Sequence, residues 1–137
     1  MKKYSNTAFV YAILAMAGGV FYREFTKFAG FSGKTMLSVV HTHYFILGML
    51  TFLLLVLFEK CFGLGGRKMR TALIVYETGL NLTVILFVVR GILQVLGTAL
   101  SSGANAAISG IAGTGHIILA AGIIMLMLQI KKALKES

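Results

Sequence analysis

The chain has 137 residues, of which 58% are hydrophobic and only 12% charged, and its net charge is +9. This length allows one domain, and the low charge content excludes an ordinary soluble globular protein, in which about a quarter of the residues are charged. The single cysteine, Cys61, excludes an intramolecular disulfide and a cysteine-based metal site. The positive charges lie at the ends of apolar runs and do not alternate with aromatic residues. This pattern indicates lipid-headgroup anchoring and argues against nucleic-acid binding.

Four long apolar runs predict an all-α fold, a single bundle of four transmembrane helices over residues 1–137. The predicted spans are residues 4–22, 35–58, 71–97 and 109–130. Each run is close to the roughly 20 residues that cross a bilayer as an α-helix. The connection at 23–34 mixes charge and glycine, the one at 59–70 is short and basic, and the one at 98–108 is predicted as a compact turn of small residues.

Lysine and arginine residues are distributed unevenly among these connections. Nine lie near the two termini and in the second connection, three lie in the first connection, and the third connection has none. Positive residues accumulate on the cytoplasmic side of membrane proteins. We therefore expect both termini in the cytoplasm.

Ionisable side chains inside the predicted spans are the unusual chemistry of this sequence. Burying such a group in a membrane costs on the order of a few kcal/mol, so it normally faces the protein interior and has a function. All three histidines, His41, His43 and His116, lie in predicted spans, and Arg90 lies in the third. With a helix rise of about 1.5 Å per residue, His43, His116 and Arg90 share a depth of roughly 10 Å below the outer face.

His41 and His43 lie two residues apart on the second predicted helix. Two steps of about 100° place their side chains about 160° apart, so the helix offers histidines on two faces. A single metal ion is not expected to bind both unless the helix is distorted.

Histidines at one depth on neighbouring helices suit heme, whose iron takes axial imidazole ligands. The glycine-rich segment before His116, which includes Gly113, leaves room for a flat ring. Arg90 can pair with a propionate. We therefore expect heme b with His43 and His116 as axial ligands and with Arg90 and Gly113 in the cofactor site. His41 is expected to be an iron ligand at a second site or a partner of a neighbouring subunit.

Other roles fit the same residues. Membrane histidines can hydrogen-bond across helices, and glycine runs can permit close helix packing. Arg90 could instead extend to the outer interface or pair with Glu24. Glu77 and Asn81, four residues apart on the third predicted helix, could begin a proton path, although a helix-to-helix hydrogen bond is the favoured interpretation.

Residues 39–49, VVHTHYFILGM, resemble the His-x-His-Tyr helix of subunit I of the heme–copper oxidases. In that family the two histidines ligate different hemes, so the resemblance implies heme binding at His41 or His43. The oxidase subunit is built from three four-helix arcs, so a homotrimer that rebuilds this arrangement is a hypothesis. The chain lacks the further histidines and the cross-linked tyrosine of the copper site, so oxygen reduction and proton pumping are not expected.

Taken whole, the chain is similar to an uncharacterised bacterial family of small four-helix membrane proteins. The segments that carry this similarity are GVFYREFTK (19–27), VVRGILQVLG (88–97) and GIAGTGH (110–116). The resemblance implies a multi-pass protein of the bacterial cytoplasmic membrane, surrounded by lipid.

The function expected from the sequence is heme binding in a homo-oligomer, for electron transfer or for binding a diatomic gas, with the redox partner unidentified. A stand-alone enzyme is not expected; a redox-active form would be a heme-dependent oxidoreductase. Two alternatives stay open. One is a small transporter or channel-like bundle with a polar route through Glu77, Asn81 and Arg90, and the other is a structural subunit of a membrane complex without a cofactor.

Overall fold

The computed structural model describes residues 1–136, which form four long helices and no strand. The helices are α1 (Lys2–Phe28), α2 (Met36–Phe62), α3 (Arg67–Val95) and α4 (Ser102–Glu136). Each is long and apolar enough to cross a membrane, as the four apolar runs predict. The all-α prediction is therefore confirmed for the described residues, and the chain has the architecture of a multi-pass membrane protein.

The helices pack in chain order, α1 against α2, α2 against α3, and α3 against α4. In α3, 44% of the most apolar window is buried, against 17–22% in the other three helices, so α3 is the central helix. Helices α2 and α4 flank α3 and barely contact one another, which leaves a cleft between them. We call it the α2–α4 cleft; its floor is formed by Tyr76 and Phe87, which lie three turns apart on one face of α3.

Glycine lets α3 and α4 approach backbone to backbone. A Cβ on Gly122 would lie 2.5 Å from Cα of Tyr76, and one on Gly79 would collide with the backbone of Leu119. Small residues at a membrane helix interface allow this close packing because no side chain separates the two backbones. The α3–α4 pair is the tightest in the bundle.

Most helix ends lie beyond the predicted spans, except that α2 starts one residue inside its span and α3 ends two residues inside. The predicted turn at 98–108 is wrong from Ser102 onward, because α4 begins there. The hydroxyl of Ser101 accepts a hydrogen bond from the amide of Ala104 at 3.2 Å, which caps the helix N-terminus. Gly30 (φ 59°) and Gly97 (φ 63°) end α1 and α3 in the left-handed conformation that suits glycine.

Helix α2 changes its winding along its length. It starts as a 3-10 turn at Met36–Val39, continues as α-helix at Val40–His43, and becomes a π-helix at Tyr44–Leu50 before α-helix resumes. A π-helical segment displaces backbone carbonyls from their usual partners. Here the hydroxyl of Tyr76 donates to the carbonyl of Leu47 at 2.6 Å, which supplies a partner from α3.

The two ends of the bundle differ in charge. One end, called the basic end below, carries both ends of the chain and the 63–66 connection. The other end carries the connections at 29–35 and 96–101 and is called the far end. At the far end, the backbone amide of Met36 donates to Oε1 of Gln94 at 2.8 Å, and the hydroxyl of Thr35 donates to the carbonyl of Gly91 at 2.9 Å. At the far end, these two hydrogen bonds hold the start of α2 against α3.

Candidate functional site

His43 and His116 face each other across the α2–α4 cleft, with Phe87 of α3 between them. The ring centroids of His43 and Phe87 are 4.9 Å apart, and those of Phe87 and His116 are 5.6 Å apart; both pairs pack edge to face. The structure therefore brings together the two histidines that the sequence paired as axial ligands. His43 is half-buried, whereas His116 is exposed.

Both histidines are held by the same kind of hydrogen bond. Nδ1 of His43 lies 2.8 Å from the carbonyl oxygen of Val39, and Nδ1 of His116 lies 2.9 Å from that of Ala112. A carbonyl oxygen only accepts, so each neutral imidazole carries its proton on Nδ1 and keeps a lone pair on Nε2. An Nδ1–H bond to a backbone carbonyl is the arrangement that orients a histidine for metal ligation through Nε2.

His41 points to a different part of the molecule. Its side chain lies against α1, where a Cβ on Gly19 would be 3.7 Å from Cβ and Cγ of His41. Its Nδ1 is buried and has no hydrogen-bond partner among the described residues. The separation of His41 and His43 onto two faces of α2 is thus confirmed. Within residues 1–136, no group of three or more His, Cys, Asp or Glu side chains is placed to hold a metal ion.

Arg90 lies on α3 one turn from Phe87 toward the far end, and its side chain reaches α4. One terminal nitrogen, Nη2, donates to Oδ1 of Asn105 at 2.5 Å and to the hydroxyl of Ser109 at 3.0 Å. Glu24 instead lies near its own neighbour Arg23, at 3.7 Å, so the alternative Arg90–Glu24 pair is not formed. The arginine is therefore oriented above the histidine pair with further N–H groups available.

The glycine-rich segment before His116 divides into two faces of α4. A Cβ on Gly113 would meet nothing within 4 Å, whereas a Cβ on Gly115 would lie 2.9 Å from the hydroxyl of Thr83. Gly115 therefore serves the α3–α4 contact, and Gly113 leaves bare backbone on the open face of α4. Its role in holding a cofactor stays a prediction.

Asn81 connects three helices. Its Oδ1 accepts a hydrogen bond from the hydroxyl of Tyr44 at 3.1 Å, and its Nδ2 donates to the hydroxyl of Tyr11 at 2.9 Å. The favoured interpretation of Asn81 as a helix-to-helix hydrogen-bonding residue is confirmed. Glu77 is half-buried and makes no side-chain hydrogen bond or salt bridge within the described part of the chain.

Sequence reasoning missed Phe87, Asn105 and Ser109. A signal for the last two was present, because Asn105, Ser109 and His116 recur at helical spacing and so share one face of α4. Phe87 carried no such signal, since an aromatic residue in a membrane span is unremarkable until its neighbours are known.

Comparison with known proteins identifies the family to which this chain belongs. Residues 1–133 match the family described as proteins of unknown function, DUF2871. The chain belongs to this family. The DUF2871 match spans all four helices and therefore covers both histidines of the cleft. No curated protein and no solved structure matches the chain.

Proposed function

We propose that this DUF2871 protein binds heme b in the α2–α4 cleft, with His43 and His116 as the axial ligands of the iron. One observation carries the proposal: two imidazoles on opposite walls of one cleft both have Nδ1 bonded to a backbone carbonyl, which leaves both Nε2 atoms available. The likeness of residues 39–49 to the oxidase helix supports the same ligand chemistry from sequence.

In this structure Phe87 occupies the space between the two imidazoles. It is 8% exposed and packs against both, so it must leave this position for the two to bind one iron. Arg90 uses Nη2 for its bonds to α4, and its other N–H groups would pair with a propionate. The open backbone at Gly113 leaves space beside His116. Heme held by two axial histidines would supply one-electron transfer, and a diatomic gas would bind only by displacing one of them.

The proposal places the protein in the bacterial cytoplasmic membrane with the basic end in the cytoplasm. The excess of lysine and arginine at that end supports this orientation. Many large apolar side chains point outward from all four helices, as expected for contact with lipid or with further copies in a homo-oligomer. A homotrimer is the arrangement that the oxidase likeness favours.

The test is an absorption spectrum of protein expressed with full heme supply and purified in detergent, both oxidised and reduced. We expect a Soret band in the wild type, and we expect His43→Ala and His116→Ala each to shift or abolish it because an axial ligand is lost. Lys68→Ala is the control, since this lysine lies at the basic end, and its spectrum should equal that of the wild type. Absence of a Soret band in the wild type would falsify the proposal.

A second candidate function, transport or ion conduction, has one supporting observation. Glu77 is a half-buried carboxylate in the central helix without a hydrogen-bond partner among the described residues, as a group on a transport route can be. Flux in proteoliposomes that Glu77→Gln abolishes, together with a spectrum lacking any chromophore, would favour this function over heme binding.

A further inference from the structure

An apolar cavity of about 350 Å³ opens in the half of the α2–α4 cleft nearest the basic end. Its floor is Tyr76, and its walls are formed by α2 and α4. Only the hydroxyls of Thr51 and Tyr76 are polar, and these are already hydrogen-bonded to each other at 3.2 Å and to backbone carbonyls. The cavity is therefore suited to hydrocarbon and offers no free polar group to a polar ligand.

The cavity opens sideways between α2 and α4. Leu54 and Met127 lie at its mouth and are 45% and 59% exposed. Both helices are of membrane-spanning length, so this mouth faces the acyl-chain region of the bilayer. A lipid chain can enter from the side without crossing any part of the protein.

A positive charge lies where such a lipid would place its headgroup. A second apolar groove of about 400 Å³ on α4 shares Ile123, Met127 and Ile130 with the cavity and includes Lys131. Lys131 directly follows the last apolar residue of the cavity wall, at the level where the helix leaves the hydrocarbon. Lysine at this level attracts the phosphate of an anionic lipid.

We propose that the cavity and the α4 groove together bind one anionic phospholipid, with one acyl chain in the cavity, the second along the groove, and the phosphate at Lys131. The positive charge of Lys131 would bind the headgroup, and the adjoining cavity and groove would bind the two acyl chains of the same lipid. The site lies in the other half of the cleft from His43 and His116, so it does not depend on the heme proposal.

The absence of tryptophan from the sequence gives a direct test. A single Phe58→Trp substitution places a fluorescent reporter in the cavity wall. Leu57→Trp is the matched control, because Leu57 is the adjacent residue on α2, is 59% exposed, and does not line the cavity. Each variant is placed in phosphatidylcholine bilayers that contain a minor fraction of a brominated lipid, whose chains quench tryptophan. The brominated lipid is phosphatidylglycerol in one sample and phosphatidylcholine in the other.

We expect brominated phosphatidylglycerol to quench Phe58→Trp as if enriched about fivefold over its mole fraction, the ratio that about 1 kcal/mol per lysine gives. Brominated phosphatidylcholine should show no such enrichment, and Leu57→Trp should follow the mole fraction with both lipids. Adding Lys131→Gln to Phe58→Trp should remove the preference, whereas adding Lys68→Gln, which removes a charge at the basic end but on α3, should keep it.

Equal quenching of Phe58→Trp by the two lipids would overturn the proposal, because the site would then not select charge. Weaker quenching of Phe58→Trp than of Leu57→Trp by both lipids would also overturn it, since protein, such as a second copy of the chain, would then cover the cavity. Ile123→Trp on the opposite wall is a second reporter with the same expected outcomes, and it applies if Phe58→Trp does not fold.

Discussion

Asn81 lies on α3, and its side-chain amide forms hydrogen bonds with Tyr11 of α1 and Tyr44 of α2. In the membrane interior no water can replace these partners, so a polar group that loses them stays unsatisfied. The same reasoning applies to His43 and His116, whose Nδ1 atoms use their own helix as partner. What separates them from Asn81 is the second nitrogen, which the helix leaves free.

Replacing Asn81 by leucine should destabilise the protein. Two interhelical hydrogen bonds are lost, and each such bond in a membrane protein contributes about 0.6 kcal/mol on average and about 1.7 at most, so we expect a loss of about 1–3 kcal/mol. Thermal unfolding in detergent measures it. Asn6→Ala, at an exposed position on α1, should leave the unfolding temperature unchanged. If both variants melt like the wild type, the Asn81 bonds do not hold the helices together.

At the scale of helices, the glycines of α4 have two different roles: some allow close contact with α3, and another leaves open backbone beside the α2–α4 cleft. Gly115 and Gly122 bring α4 against α3, and Gly113 lies on the open face. The sequence alone does not separate these roles, because all three occur in a glycine-rich helix.

A methyl group should therefore be tolerated at one glycine and not at another. Gly79→Ala would force α3 away from the backbone of Leu119, and overpacking of this kind costs about 1–3 kcal/mol. Gly113→Ala meets open space and, with the better helix propensity of alanine, should be neutral or stabilising by up to about 1 kcal/mol. Unfolding of the two variants in one detergent tests this pair. Equal stability would show that the two helices can separate freely.

The four helices could be predicted from the sequence because each apolar run has the length of a bilayer crossing. The shared depth of His43 and His116 could also be predicted from helix rise, but their common contact with Phe87 could not, because it depends on how the helices pack. The π-helix at Tyr44–Leu50 could not, because the partner of its Leu47 carbonyl, the hydroxyl of Tyr76, lies on another helix. The start of α4 could not be predicted either, because Ser101 is one of several small residues there and only its bond to the Ala104 amide identifies it as the cap.

At the scale of the whole molecule, the orientation in the membrane can be tested with the native Cys61, which is exposed at the basic end. If that end is cytoplasmic, a membrane-impermeant maleimide should label Cys61 in inverted vesicles and leave it unlabelled in intact cells. A Thr98→Cys substitution in a Cys61→Ser background should give the reverse result, because Thr98 lies in the far-end connection. Labelling of Cys61 in intact cells would place the basic end outside.

The seven π-helical residues of α2 also set the angular phase between its two halves. A π-helical turn accommodates about one residue more than an α-helical turn, and one residue corresponds to about 100° of rotation. Deleting one residue between 44 and 50 would remove this extra residue, so α2 would continue as regular α-helix with its two halves still in phase. If the wide turn closed to regular α-helix with every residue kept, the first half would rotate by about 100° relative to the second, and His43 would turn away from Phe87 and His41 away from Gly19. The direction of the histidines thus depends on how the chain is wound at 44–50 as well as on which residues it contains.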